Sequence, residues 1–188
     1  MDIPAHSNSS GKRSLLVYSM VGFIVILDQF SKVIVKNTMV LYDSIPVLGN
    51  FLQLTYIENP GMAFGIQMQN KLLFTVLSVV ATLIVLLYMI RLSHERFLFR
   101  FSLALILGGA IGNLIDRIIR GRVVDFIDVE FFDISIPSFD LWFIHFPGYG
   151  LTRWPVFNVA DSAVTCGLVV LTLILIFQKD PVRREITT

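Results

Sequence analysis

The sequence predicts an α-helical integral membrane protein with four transmembrane helices, a small extracytoplasmic sheet and an aromatic loop or helix at the membrane surface. Three observations carry that prediction. Of 188 residues, 55% are hydrophobic and only 15% charged, with a mean hydropathy of +0.74, too apolar for a soluble domain of this size. Four apolar segments, 15–35, 72–90, 97–119 and 156–177, reach the roughly 20 residues that a spanning helix needs. Two long connections, 36–71 and 120–155, contrast with the short turn "RLSHER", and polar tails at 1–14 and 179–188 flank what reads as a single membrane-embedded domain.

The first span follows a tail carrying Lys12 and Arg13. It is too long for a signal-peptide core and no small-x-small site follows it, so it reads as a retained helix. Four spans return both termini to one side. That side holds eight basic residues (Lys12, Arg13, Arg91, Arg96, Arg100, Lys179, Arg183, Arg184) against seven on the other, of which Lys32 and Arg117 lie within helices and do not vote. The balance places both termini in the cytoplasm. In the first outer connection "FLQLTYIEN" alternates as a short strand does, and "NPG" marks a turn after it. In the second, "SFDLWFIHFPGYGLTRWP" offers aromatic rings suited to the headgroup layer.

Composition also excludes. A net charge of +1 with a pI near 7.9 gives no basic field for nucleic acid. The single cysteine, Cys166, can close no intrachain disulfide and reads as helix packing. His6, His94 and His145 are scattered without metal-ligand spacing, so neither a metal nor a cofactor is expected.

Ionisable residues inside spans each need a reason, because a mid-bilayer charge costs about 2.5–3.5 kcal/mol on insertion scales. Asp28 and Lys32 in "LDQFSK" are four apart and form a pair that fastens helix ends. In "GGAIGNLIDRIIRGRVVDF" the glycines at 108, 109 and 112 signal close helix packing. Asn113 and Asp116 share a face there, and Arg117 is free to pair with Asp116 or to snorkel. Asp125 lies between apolar neighbours in "VVDFI", where desolvation raises a carboxyl pKa. In "FNVADSA" Asn158 and Asp161 are three apart, and helix capping accounts for either by itself. Two apolar-flanked aspartates at one membrane level also make an acid–base dyad, in which one carboxyl keeps its proton while the other activates water. Ser31 and Lys32 are adjacent, point about 100° apart on a helix and make a poor nucleophile–base pair.

These residues resemble a known set: "LDQFSK", "ENPGMAFG", "GGAIGNLIDRIIRGRVVDF" and "FNVADSA", in that order, look like the motifs of the lipoprotein signal peptidases (signal peptidase II), aspartic endopeptidases of the bacterial inner membrane. The resemblance covers most of the chain. It implies Asp125 and Asp161 as the catalytic pair, Asn59, Gly61, Asn113, Asp116, Arg117, Asn158 and Ala160 as residues lining or bracing the cleft, and Asp28 and Lys32 as supports. It implies a monomer with an outer β-cradle, in contact with membrane lipid. The implied substrate is a diacylglyceryl-modified prolipoprotein, cut just before its lipidated cysteine. The segment 131–153 is longer than that pattern leads one to expect, and Pro60 stiffens a loop where the family commonly carries a more flexible residue. Two other classes use the same carboxylates: a proton-coupled transporter, disfavoured by the lack of an inverted repeat, and a noncatalytic assembly subunit.

Overall fold

The computed structural model describes residues 7–60, 62–63, 66–67, 71–142, 144–147 and 149–177. Four helices dominate: α1 (Ser7–Thr38), α2 (Lys71–Arg91), α3 (Phe97–Arg120) and α4 (Val159–Phe177). Each is long and apolar enough to cross a bilayer. Their partition is uneven. Within the best window of α3 56% of residues are buried by protein, against 11–17% for the other three, so α3 is the central post and the others face lipid. Segments that must be dry on all sides sit in the middle; those whose outward side chains are Leu, Val and Phe need only lipid as a neighbour.

Close approach to α3 is made with glycine. A Cβ at Gly109 would lie 2.3 Å from the Ala160 carbonyl oxygen, and one at Gly108 2.9 Å from Ile24 Cβ. Gly167 on α4 answers from the other side, where a Cβ would stand 2.8 Å from the Ser102 carbonyl oxygen. Lipid tails are as apolar as leucine, so such packing rather than a hydrophobic drive holds the helices together. One apolar cluster, Val17, Met89, Leu103, Ala104 and Leu107, ties α1, α2 and α3 at the end carrying the 92–96 turn.

At the opposite end lies a four-stranded antiparallel sheet in the order β1 (Ser44–Leu48), β2 (Leu52–Asn59), β5 (Val123–Ile136), β8 (Tyr149–Arg153). Its strands follow α1 and α3 and precede α4, so it roofs the helix ends. Val35 of α1 packs with Tyr56, Val124 and Phe126 of the sheet to form the second core. Two small hairpins lie in the connections at the same end: β3 (Met62–Ala63) with β4 (Ile66–Gln67), and β6 (Phe139–Leu141) with β7 (Ile144–Phe146). The described residues of the 131–153 segment are strands and turns, with no helical turn among them. Phe139 and Phe146 stack across the β6–β7 hairpin, with centroids 4.8 Å apart.

Helix boundaries differ from the sequence-based expectation in an instructive way. α1 begins at Ser7 rather than near 15, because a helix continues past the apolar run that the bilayer selects. α4 begins at Val159 rather than 156, because Asn158 caps it.

Candidate active site

Asn158 and Asp161 start α4 with a reciprocal capping box. The Asp161 amide donates to Asn158 Oδ1 at 2.9 Å, and the Asn158 amide donates to Asp161 Oδ2 at 3.2 Å. The Ala160 amide between them donates to Asp28 Oδ1 on α1 at 3.0 Å. The free N–H groups of a helix start are therefore satisfied by two carboxylates and an amide, and the positive end of the helix dipole favours that negative charge. The two readings of Asp161 open from sequence are thus compatible. As part of the cap, its carboxylate is held at the end of α4 that meets the sheet.

Asp125 comes from a different element. α3 ends in a left-handed cap at Gly121 (φ +69), whose amide donates to the Arg117 carbonyl, and the chain turns into β5. Pairing of β5 with β2 sets Asp125 opposite Ile57. Asn59, two residues along β2, donates to Asp125 Oδ2 at 3.1 Å. Asn158 Nδ2 donates to Asp125 Oδ1 at 2.7 Å and to Asn113 Oδ1 at 3.1 Å, while Asn113 Nδ2 donates to Asp161 Oδ1 at 2.7 Å. One asparagine therefore touches both aspartates, and a second closes the ring. Burial, reinforced by the Asp161 charge, pushes Asp125 up to about 7 against the opposing pull of the Asn59 and Asn158 donors.

Both carboxylates open on one cleft of about 720 Å³, reached by Asn59, Phe74, Arg117 and Trp154 among others. Its walls are mostly apolar. Ser78 and Thr82 on α2 turn their hydroxyls back to the carbonyls of Phe74 and Ser78, so they present carbon rather than an unused donor. The Arg117 guanidinium stacks 4.6 Å over the Phe74 ring, within electrostatic reach of Asp161 and Asp125, and its buried Nε has no protein hydrogen-bond partner among the described residues.

This site sits in a chain with clear relatives. A family model described as signal peptidase (SPase) II matches residues 20–177. The lipoprotein signal peptidase of Caldanaerobacter subterraneus subsp. tengcongensis is 43% identical over 159 residues, 85% of this chain and 94% of that one. That of Desulforapulum autotrophicum is 40% identical over 176 residues, 90% and 97% of the two chains. A solved structure described as a bacterial membrane enzyme, determined by the in meso method at 2.3 Å resolution, superposes with a TM-score of 0.67 at 29% identity, covering 89% of this chain and 92% of that one. The chain belongs to the signal peptidase II family. It is accordingly a peptidase.

Described residues of the signal peptidase II motifs come together from five elements, α1, β2, α3, β5 and α4. Beneath the two aspartates lies a buried network centred on Lys32, whose Nζ meets Asp28 Oδ2 at 2.8 Å, Asn113 Oδ1 at 2.9 Å and Asp116 Oδ2 at 3.0 Å. All three ammonium protons have acceptors, which is how a buried lysine is tolerated. A Cβ at Gly112 would fall 2.6 Å from Asp28 Oδ2, so glycine there lets the carboxylate reach α4. Asp28, Lys32, Asn113, Asp116, Asn158 and Ala160 are all buried; Asn59 and Arg117 are partly exposed at the cleft. Gly61 lies outside the described residues.

Arg117 does not pair with Asp116 by hydrogen bond; that role falls to Arg120, whose NH1 contacts both Asp116 Oδ1 and Gln29 Oε1. The physical reason is helical phase. Residues 116 and 120 are one turn apart on the same face, whereas 117 is rotated by about 100°. Gln29, also missed, donates to the Gly112 carbonyl at 3.0 Å and to Asp116 Oδ1 at 3.3 Å. The i,i+4 rule would have found Arg120; nothing local marks Gln29.

Proposed function

We propose that this peptidase removes signal peptides from diacylglyceryl-modified prolipoproteins, cutting just before the lipidated cysteine, with Asp161 as the base and Asp125 as the acid. The observation that carries the reading is Asn158: its side chain and its own amide hold both carboxyl groups at the mouth of one largely apolar cleft. Charge supports the division of labour. Three cations, Lys32, Arg117 and Arg120, accompany four carboxylates, Asp28, Asp116, Asp125 and Asp161, so the cluster is neutral when one carboxyl keeps a proton. Asp125, the more desolvated of the dyad, is the one that keeps it.

A water between the two groups loses a proton to Asp161 as its oxygen attacks the scissile carbonyl. Asp125 protonates the carbonyl oxygen. On collapse of the tetrahedral intermediate the amine nitrogen takes a proton from Asp161, and the carboxyl proton returns to Asp125. Arg117 lines the cleft and is partly exposed there, so its guanidinium holds a peptide carbonyl, and the apolar walls receive the first methylenes of the acyl chains at about 0.8 kcal/mol per buried CH₂. The chain sits in the bacterial inner membrane with both termini cytoplasmic and the sheet outside.

Cleavage of a diacylated prolipoprotein by reconstituted Asp125→Asn and Asp161→Asn variants tests the assignment. Each should lose about 10²-fold or more in rate while still unfolding in a cooperative thermal transition, since each removes one of the two proton carriers. Wild-type turnover by either variant would sink the dyad.

A further inference from the structure

We infer that the free edge of the outer sheet is a second membrane-contact surface, seated in the headgroup layer of the bilayer beside α1, which fixes the height of the site above the acyl chains. The two faces of the sheet differ in kind. On one, Ser44 and Thr55 hydroxyls stand 2.8 Å apart, Thr55 donates to Asp128 Oδ2 at 2.7 Å, and Arg153 Nε meets Asp128 Oδ1 at 2.6 Å, a polar row across all four strands. On the other, Leu54 and Ile127 pack on the cluster that Val35 of α1 forms with Tyr56, Val124 and Phe126, so that face looks towards the helix ends and the membrane.

Strand β1 carries the same alternation past the last helix. Ile45 pairs with Leu54 and so shares the membrane-side face, yet it is 49% exposed because no helix lies beneath it. Around it Val40, Tyr42, Val47, Leu48 and Phe51 are exposed as well, and residues 40–51 include one charged side chain, Asp43.

Two features identify the occupant as lipid. The patch continues, two residues beyond Thr38, the lipid-facing surface of α1 formed by Phe30, Val33 and Ile34. Tyr42 is held in the left-handed region (φ +72), its amide donating to the Tyr56 carbonyl, which leaves an amphipathic ring outside the packed protein at the level where such rings prefer the interface. An apolar edge with a tyrosine and a single acidic side chain, with no basic one, fits zwitterionic lipid rather than an acidic partner. The inference needs no catalytic assignment.

Fluorescence of the full-length protein in phosphatidylcholine vesicles tests it. Ile45→Trp and Ser44→Trp each add a signal over the wild type, and quenching is compared between lipids brominated near the carbonyl end and aqueous iodide. The Ile45→Trp increment should fall about twofold with brominated lipid and resist iodide; the Ser44→Trp increment should do the reverse. Iodide quenching at both positions would place the edge in water and overturn the inference. Resistance of Ile45→Trp to both quenchers would mean that a second copy covers the edge, and would overturn it equally. Should Ile45→Trp fail to fold, Leu48→Trp, whose partner Leu52 shares the face of Leu54, makes the same comparison at a more exposed position. A failure here leaves the peptidase reading untouched.

Discussion

Asp125 and Asp161 are the same residue type in different company, and the difference has a pH signature. Asp125 lies on a buried strand with its pKa raised from 3.8 to about 7, so between those values the folded protein binds a proton that the unfolded chain has released. Its contribution to stability is therefore largest below the unfolded value and is lost as pH climbs to about 7. Thermal transitions measured from pH 4 to pH 8 should show this decline in the wild type and lack it in Asp125→Asn; parallel slopes would contradict the shift. Catalysis should follow the same proton. The rate should be bell-shaped in pH, with its alkaline limb near 7, because an acid that has already lost its proton cannot protonate the carbonyl oxygen.

Among elements, the seam between α3 and α4 decides where Asp161 stands. Gly109→Ala would drive a methyl into the Ala160 carbonyl, one residue before Asp161, whereas Gly22→Ala on α1 meets nothing within 4 Å. The first should lower stability by about 1–3 kcal/mol or more and depress cleavage with it; the second should leave both nearly unchanged. Denaturation in matched detergent micelles makes the comparison. The sequence makes this packing legible, since three glycines in one apolar helix have few other uses. It makes β2 legible through alternation, and Asp125 through its flanks. The ring of Asn113, Asn158 and the two aspartates is not legible without resemblance to relatives, because its bonds join residues 33 to 48 positions apart and no local rule specifies a partner at that range. The aromatic segment 131–153 shows the opposite weakness: composition located it at a surface but could not choose among loop, helix and the hairpin found.

For the whole molecule the buried network does the work that a larger hydrophobic core does in soluble enzymes. Lys32 of α1 contacts two residues of α3, one of which, Asp116, also accepts the Val124 amide at the start of β5, while Asp28 reaches the first turn of α4. Replacing Lys32 with Met should cost about 3–5 kcal/mol, since it leaves buried carboxylates short of a cation. Adding Asp28→Asn should restore part of that loss, and a double-mutant cycle by thermal denaturation measures the coupling. Additive losses would show that the contacts act separately. The reciprocal cap of α4 has a kinetic consequence. Because Asp161 helps to close the first turn of the helix that carries it, fraying of that turn and misplacement of the carboxylate are a single event. Deuterium uptake at the Ala160 and Asp161 amides should consequently rise in step with heat inactivation, at temperatures where the rest of α4 is still protected.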